Sequence, residues 1–141
     1  MTIATAAVDA PARTPMAVDY QPGVCNIGPA EIARRRRAGH VGVLATVGLL
    51  TALVGIGAPP LTRLLLVFPA AVAASGYLQA SLRFCAGFGG RGVFNFGSVG
   101  DTKQVQDEAA RRLDGAKAAQ IGVASFVVGA LVGVFAVILP A

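Results

Sequence analysis

Residues 38–62 read AGHVGVLATVGLLTALVGIGAPPLT, from Ala38 to Thr62, and contain no Asp, Glu, Lys or Arg. A helix needs about 20 predominantly apolar residues to cross ~30 Å of hydrocarbon. This run exceeds that length. Its last part, Gly57-Ala58-Pro59-Pro60, reads as a tight reversal, because consecutive prolines end a helix and bias the preceding residue away from the α region. Two more uncharged runs follow, Leu64–Leu82 and Ala118–Ala141. Backbone amides find no water to bond in lipid, so each run is expected to be helical. The fold expected is an all-α membrane protein with three transmembrane helices, near 40–58, 63–83 and 118–139. The middle one is the least regular. Pro69 removes a backbone donor and favours a kink, and Ser75, Gly76 and Gln79 dilute the apolar character, so a re-entrant or strongly tilted segment competes with a full crossing.

Composition points the same way. Hydrophobic residues make up 55% of the 141 and charged residues 13%, with a mean hydropathy of +0.66. A soluble domain carries about 25% charged residues, so too few are present to coat a water-facing surface. Intrinsic disorder is excluded by the high hydrophobicity, and a disulfide scaffold by the presence of only two cysteines. The division expected is a flexible Ala/Pro/Thr-rich tail over 1–22 and one transmembrane domain over 23–141. The opening Met1-Thr2-Ile3 has no basic region, and Asp9, Pro11 and Pro15 interrupt any apolar run, so no signal peptide is expected.

Charge sets the orientation. Of the 12 Lys and Arg, Arg13 and the four at 34–37 precede the first span, and six lie between residues 82 and 117. Only Arg63 falls at the tip of the hairpin. Positive residues stay on the cytoplasmic side, which places the N-terminus and the 82–117 loop in the cytoplasm of a bacterial inner membrane and the C-terminus outside.

Pro29 suits a first helical position, and Glu31 in the first turn can pair with Arg35. The helix should run on through Arg34, Arg35, Arg36 and Arg37 into the membrane. Four consecutive helical arginines point all round the axis, which suits lipid headgroups and argues against nucleic acid as a partner. His40 stands at the mouth of the first span as a weak cofactor-binding candidate, weighed against a hydrated interfacial histidine. A second His is missing from the sequence, which excludes a bis-His haem within one chain. Cys25 and Cys85 are weak metal or redox candidates beside the default of two small buried thiols, since they show no CxxC spacing and face a reducing compartment. No cofactor is expected.

Gly87, Gly89 and Gly92 match G-x-G-x-x-G, but the strand and βαβ unit that give this motif its meaning are not expected here. Phe84, Phe88, Phe94 and Phe96 read instead as aromatic anchors of an interfacial loop. Residues 101–115 read as a short cytoplasmic amphipathic helix. Asp101 is its expected cap, Val105, Ala109 and Leu113 its apolar face, and Asp107–Arg111 and Glu108–Arg112 its i,i+4 pairs. No Ser/His/Asp or Cys/His constellation stands out, so the chain is not expected to be an enzyme.

Small residues form two seams. Ala45, Gly48, Ala52 and Gly55 share a face of the first span, and Gly122, Ser125, Gly129 and Gly133 share a face of the third, with a GxxxG at 129–133. Such seams let helix backbones approach closely in lipid. They are expected to join the first and third helices, or to dock one of them on another protein.

The segment Cys25-Asn26-Ile27-Gly28-Pro29-Ala30-Glu31-Ile32 with Arg34 to Arg37, followed by Gly76-Tyr77-Leu78-Gln79 and Arg83-Phe84-Cys85, resembles a family of small uncharacterised bacterial inner-membrane proteins over Gly23 to Phe96. The resemblance implies the membrane class and carries no activity or site. The leading functional expectation is a non-catalytic accessory subunit of a larger bacterial membrane complex, respiratory or photosynthetic, with membrane lipid as a second partner. A small self-associating transporter or channel component is the alternative; against it, no charged side chain lies deep in a span. Gln79, Thr46, Thr51 and Ser125 are its modest polar candidates. A cofactor-binding or thiol-redox protein using Cys25, His40 and Cys85 is the third class.

Overall fold

The computed structural model describes residues 19–140, and most of the tail expected over 1–22 lies outside the described residues. The first uncharged run begins inside a longer helix. Helix α1 spans Pro29–Gly55, opens with Pro29 in its first turn and passes through the four arginines without a break. Its end is a left-handed turn at Gly57, φ +66°, whose N–H bonds the Val54 carbonyl at 3.0 Å. Glycine adopts that conformation without a Cβ clash.

After Pro59 a 3₁₀ segment, Pro60–Leu66, leads into helix α2, Val67–Ser81. Pro69 therefore sits in the first turn of α2, at its junction with the 3₁₀ segment. Pro60–Ser81 is one composite helix long and apolar enough to cross a membrane, as are α1 and helix α4, Glu108–Ile138. Between α2 and α4 lie the short helix α3, Ala86–Arg91, and two paired strands, β1 (Val93–Phe94) and β2 (Lys103–Gln104).

Four expectations change. Residues 101–107 are not helical, because Lys103 and Gln104 pair with β1 and the Val105 N–H bonds the Gly92 carbonyl at 2.8 Å. The amphipathic turns beyond them are the start of α4 itself, and the cap is Asp107, whose carboxylate accepts from the N–H groups of Ala109 and Ala110. Of the two predicted pairs, Glu108–Arg112 forms, at 2.6 Å and fully on the surface. The tail boundary also moves. Tyr20 stacks on Phe94 with ring centroids 4.8 Å apart, and Gln21 closes a turn with Cys25, so residues 20–22 belong to the folded unit.

Helix α2 is the middle layer, packed against α1 on one side and α4 on the other. Helices α1 and α4 pack on α2 rather than on each other, so the seam expected to join the first and third spans does not. The α1–α2 crossing uses Gly39 and Gly42 against Ala73 and Gly76. A Cβ at Gly42 would lie 2.5 Å from the Ala73 nitrogen, and one at Gly76 would collide with the backbone of Gly39. On the other side Gly129 meets the Val67 carbonyl and Ala71, and Gly133 meets Val67. Arg63, expected as a loop charge at the hairpin tip, is 2% exposed and tucked against the end of α4.

Candidate functional site

The basic residues gather where α1 and α4 begin and α2 ends, and a polar clamp holds these ends together. The segment Cys25–Gly28 lies in extended form beside Asn95, with Ile27 and Asn95 bridged in parallel. Asn26, fully buried, bonds in four directions. Its backbone N–H donates to the Arg83 carbonyl, its carbonyl accepts from Asn95, and its side-chain amide binds the Cys85 backbone on both sides. Beneath it Ile27, Cys85 and Phe88 form an apolar cluster joined by Ile32 and Val93.

Glu31 is 0% exposed. Its Oε1 accepts from Asn95 Nδ2 at 3.4 Å and the Gly100 N–H at 3.3 Å, while Oε2 faces Arg34 at 3.5 Å and Arg35 at 3.7 Å. A carboxylate out of water needs such partners. Glu31 therefore pins the 95–100 loop to α1 as well as balancing the helix dipole. On α4, Asp114 plays the same part for the N-terminal segment: Oδ2 accepts from the Tyr20 hydroxyl at 2.8 Å and Oδ1 from the Gly23 N–H at 2.7 Å. Burial, and then this bond to Asp114, push the Tyr20 phenol well above its ordinary range.

The four arginines divide. Arg34 and Arg35 are engaged by Glu31. Arg35 also donates from Nη2 to Cys85 Sγ at 2.8 Å and lies 5.7 Å from the centre of the Phe88 ring, whose other cationic neighbour is Arg91 at 5.6 Å. Arg36 and Arg37 are exposed and have no ion-pair or hydrogen-bond partner among the described residues. Arg36 and Arg83 share a cleft of about 300 Å³ with Ile27, Gly28, Pro29, Ile32 and Ala33.

Cys25 and Cys85 reach the same end of the bundle and are both buried free thiols. They serve different contacts. Cys25 Sγ faces the Ile27 carbonyl, and burial raises its thiol pKa. Cys85 Sγ takes Arg35 and, as the cap of α3, the Phe88 N–H at 3.4 Å. His40 turns elsewhere, its Nδ1 2.6 Å from the Tyr77 hydroxyl in an exposed contact at the α1–α2 crossing. The three do not converge, and among the described residues no group of three or more His, Cys, Asp or Glu could hold a metal ion.

The polar candidates within the spans bond locally. Thr46, Thr51 and Ser125 each donate to the carbonyl four residues earlier, and Gln79 bonds Ser75 and the Ala86 N–H that opens α3. Of the two small-residue seams, Ser125, Gly129 and Gly133 are buried, whereas Gly122 is open. Ala45, Gly48, Ala52 and Gly55 are all exposed, and nothing lies within 4 Å of a Cβ built at Gly48 or Gly55.

Sequence reasoning missed Asn26, Asn95 and Asp114 as organising residues. Glu31, three residues before a basic run, was visible only as a dipole and i,i+4 partner. No protein-family model, curated protein or solved structure matches the chain, so the resemblance over Gly23–Phe96 gains no support from such comparisons.

Proposed function

We propose that this chain is a non-catalytic accessory subunit of a larger bacterial membrane complex. In this reading it sits in the inner membrane with its basic end in the cytoplasm, as the distribution of Lys and Arg favours. The observation that carries the reading is the bare half of α1. Its first half is spent on α2, but Ala45, Gly48, Ala52 and Gly55 are exposed, nothing among the described residues lies within 4 Å of a Cβ built at Gly48 or Gly55, and Val43, Leu44, Val47 and Val54 beside them are exposed too. Lipid tails are as apolar as leucine, so burying apolar area does not favour helix pairing in a bilayer; close van der Waals contact does, and small residues permit it. A partner helix laid along this face would gain the approach that the rest of the chain leaves unused.

The transporter alternative draws less support. Its polar candidates are all engaged within their own helix or at the α2–α3 turn, which leaves no chain of free polar groups through the spans among the described residues. Mild-detergent extraction of the tagged chain, native electrophoresis and mass spectrometry of co-migrating proteins test the proposal. Migration in a large assembly at fixed stoichiometry is expected. Migration only as a small homo-oligomer overturns it in favour of self-association.

A further inference from the structure

Because α1 and α4 both lean on α2 without packing on each other, a groove runs down the exposed face of α2 between them. Its upper section is lined by Arg36, Ala74, Tyr77, Leu78, Ser81 and Val128. Its lower section shares Ala74, Tyr77 and Val128 and continues past Val47, Ala70 and Val132. We infer that this groove holds one anionic phospholipid, with its phosphate between Arg36 and Arg83 and an acyl chain along Ala74, Tyr77 and Val128 toward Val47 and Val132.

Three observations fit that occupant. The first is charge. Arg36 heads the groove and also shares the adjoining cleft with Arg83, and neither guanidinium has a side-chain partner among the described residues. Arg83 is held in place by its backbone: φ is +52°, and its carbonyl accepts from both Asn26 and Ile27. A non-glycine residue persists in that region only when its surroundings fix it. The second is the lining. The lower section contains two polar groups, the Thr46 and Tyr77 hydroxyls, and both are spent, one on the Gly42 carbonyl and one on His40. The groove thus offers a cationic mouth above an apolar channel. The third is length. Arg36 to Val47 on a helix rising 1.5 Å per residue is about 16 Å, roughly half of the ~30 Å hydrocarbon core, the reach of one leaflet's acyl chain.

Native mass spectrometry of the full chain, delipidated in mild detergent and titrated with palmitoyl-oleoyl phosphatidylglycerol or phosphatidylcholine, tests the site. Wild type should retain one phosphatidylglycerol per chain and prefer it to phosphatidylcholine. At about 1 kcal/mol per surface Arg, Arg36→Gln and Arg83→Gln should each weaken retention roughly fivefold. Val128→Phe, at a partly exposed position that lines both sections of the groove, should lower retention of both lipids. Arg112→Gln, at the same end but outside the groove, should bind like wild type, and helical circular dichroism confirms that each variant is folded. Equal retention of the two lipids by wild type overturns the inference. So does wild-type retention by both the Arg36→Gln/Arg83→Gln double variant and Val128→Phe. Displacement of the lipid by excess inorganic phosphate overturns it in favour of a bare anion site, and a protein seated in the groove of the purified complex overturns it in favour of a partner helix.

Discussion

Arg63 caps the far end of α4: its Nη1 donates to the Ala136 carbonyl at 3.0 Å and to the Leu139 carbonyl at 2.9 Å. The last four carbonyls of a helix have no intrahelical donor, and the helix dipole places partial negative charge there. A cation delivered from the 3₁₀ segment satisfies two of these groups at once. The same contact ties the hairpin tip to the C-terminal end of the chain. The charge that a count of loop arginines assigns to an exposed tip is thus an internal fastening.

Arg63→Met keeps much of the volume and removes the donors. It should lower stability by about 2 kcal/mol, the scale of hydrogen bonds to a charged group. The thermal midpoint of helical circular dichroism in detergent reads this directly. An unchanged midpoint would mean that solvent satisfies the two carbonyls as well as Arg63 does.

The Asn26 clamp makes a second prediction. Its Oδ1 accepts from the Cys85 N–H at 2.6 Å and its Nδ2 donates to the Cys85 carbonyl at 3.1 Å, so the side chain acts as a one-residue strand. Asn26→Ala leaves the buried Cys85 N–H unpaired, at about 1–3 kcal/mol, while the Cys85 carbonyl keeps the Phe88 and Gly89 N–H groups. Asn26→Asp keeps the acceptor, loses the donor and buries a charge, and should be at least as damaging. Cys85, 1% exposed in the folded chain, should react with a maleimide faster in both variants than in wild type. Equal labelling rates would show that other contacts suffice to hold this loop.

Alkaline pH gives a third. Burial and Asp114 raise the Tyr20 phenol pKa in the folded chain, whereas the unfolded phenol ionises near ~10. Below that pH both states hold the proton, and the Tyr20–Asp114 bond contributes fully. Above it the unfolded state loses the proton first, so stability falls as pH rises. Tyr20→Phe should start from a lower midpoint and lose less between pH ~9 and ~11. The buried Cys25 thiol, also raised, acts in the same sense from about pH 8.5, so the comparison is best made in a Cys25→Ala background. Parallel curves with and without the Tyr20→Phe substitution would show that the phenol does not titrate with folding.

How far the fold was legible follows from the reach of each contact. Charge-free runs such as 38–62 are local, and lipid leaves a chain segment few options, so three spans could be read without partners. Pro29 and Pro59 marked helix ends for equally local reasons. The clamp is different in kind. Asp114 meets Gly23 across 91 positions and Arg63 meets Ala136 across 73, and no periodicity records such pairings. Asp101 was the expected cap by sequence. The pairing of Lys103 and Gln104 with β1 keeps that stretch out of the helix and leaves the cap to Asp107, and that contact is again non-local. The small-residue seams mislead for a related reason: the pattern identifies residues able to pack but not the helix they meet. In this fold Gly39 and Gly42, outside the predicted seam, take the contact with α2.

That distinction yields the last prediction, which separates packing within the chain from packing against a partner. A side chain at Gly42 would drive into the Ala73 backbone at 2.5 Å, where no rotamer can give way. Overpacking of this kind costs about 1–3 kcal/mol or more, so Gly42→Val should lower the thermal midpoint of the isolated chain. At Gly48 the space is open. Gly48→Leu should leave that midpoint unchanged and instead release the chain from whatever assembly it enters, because a bulky residue holds a partner backbone away. Native electrophoresis of both variants beside wild type, with the melting curves, makes the comparison. If Gly48→Leu neither destabilises the chain nor weakens its assembly, the bare face of α1 serves lipid alone, and the accessory-subunit reading loses the observation that carries it.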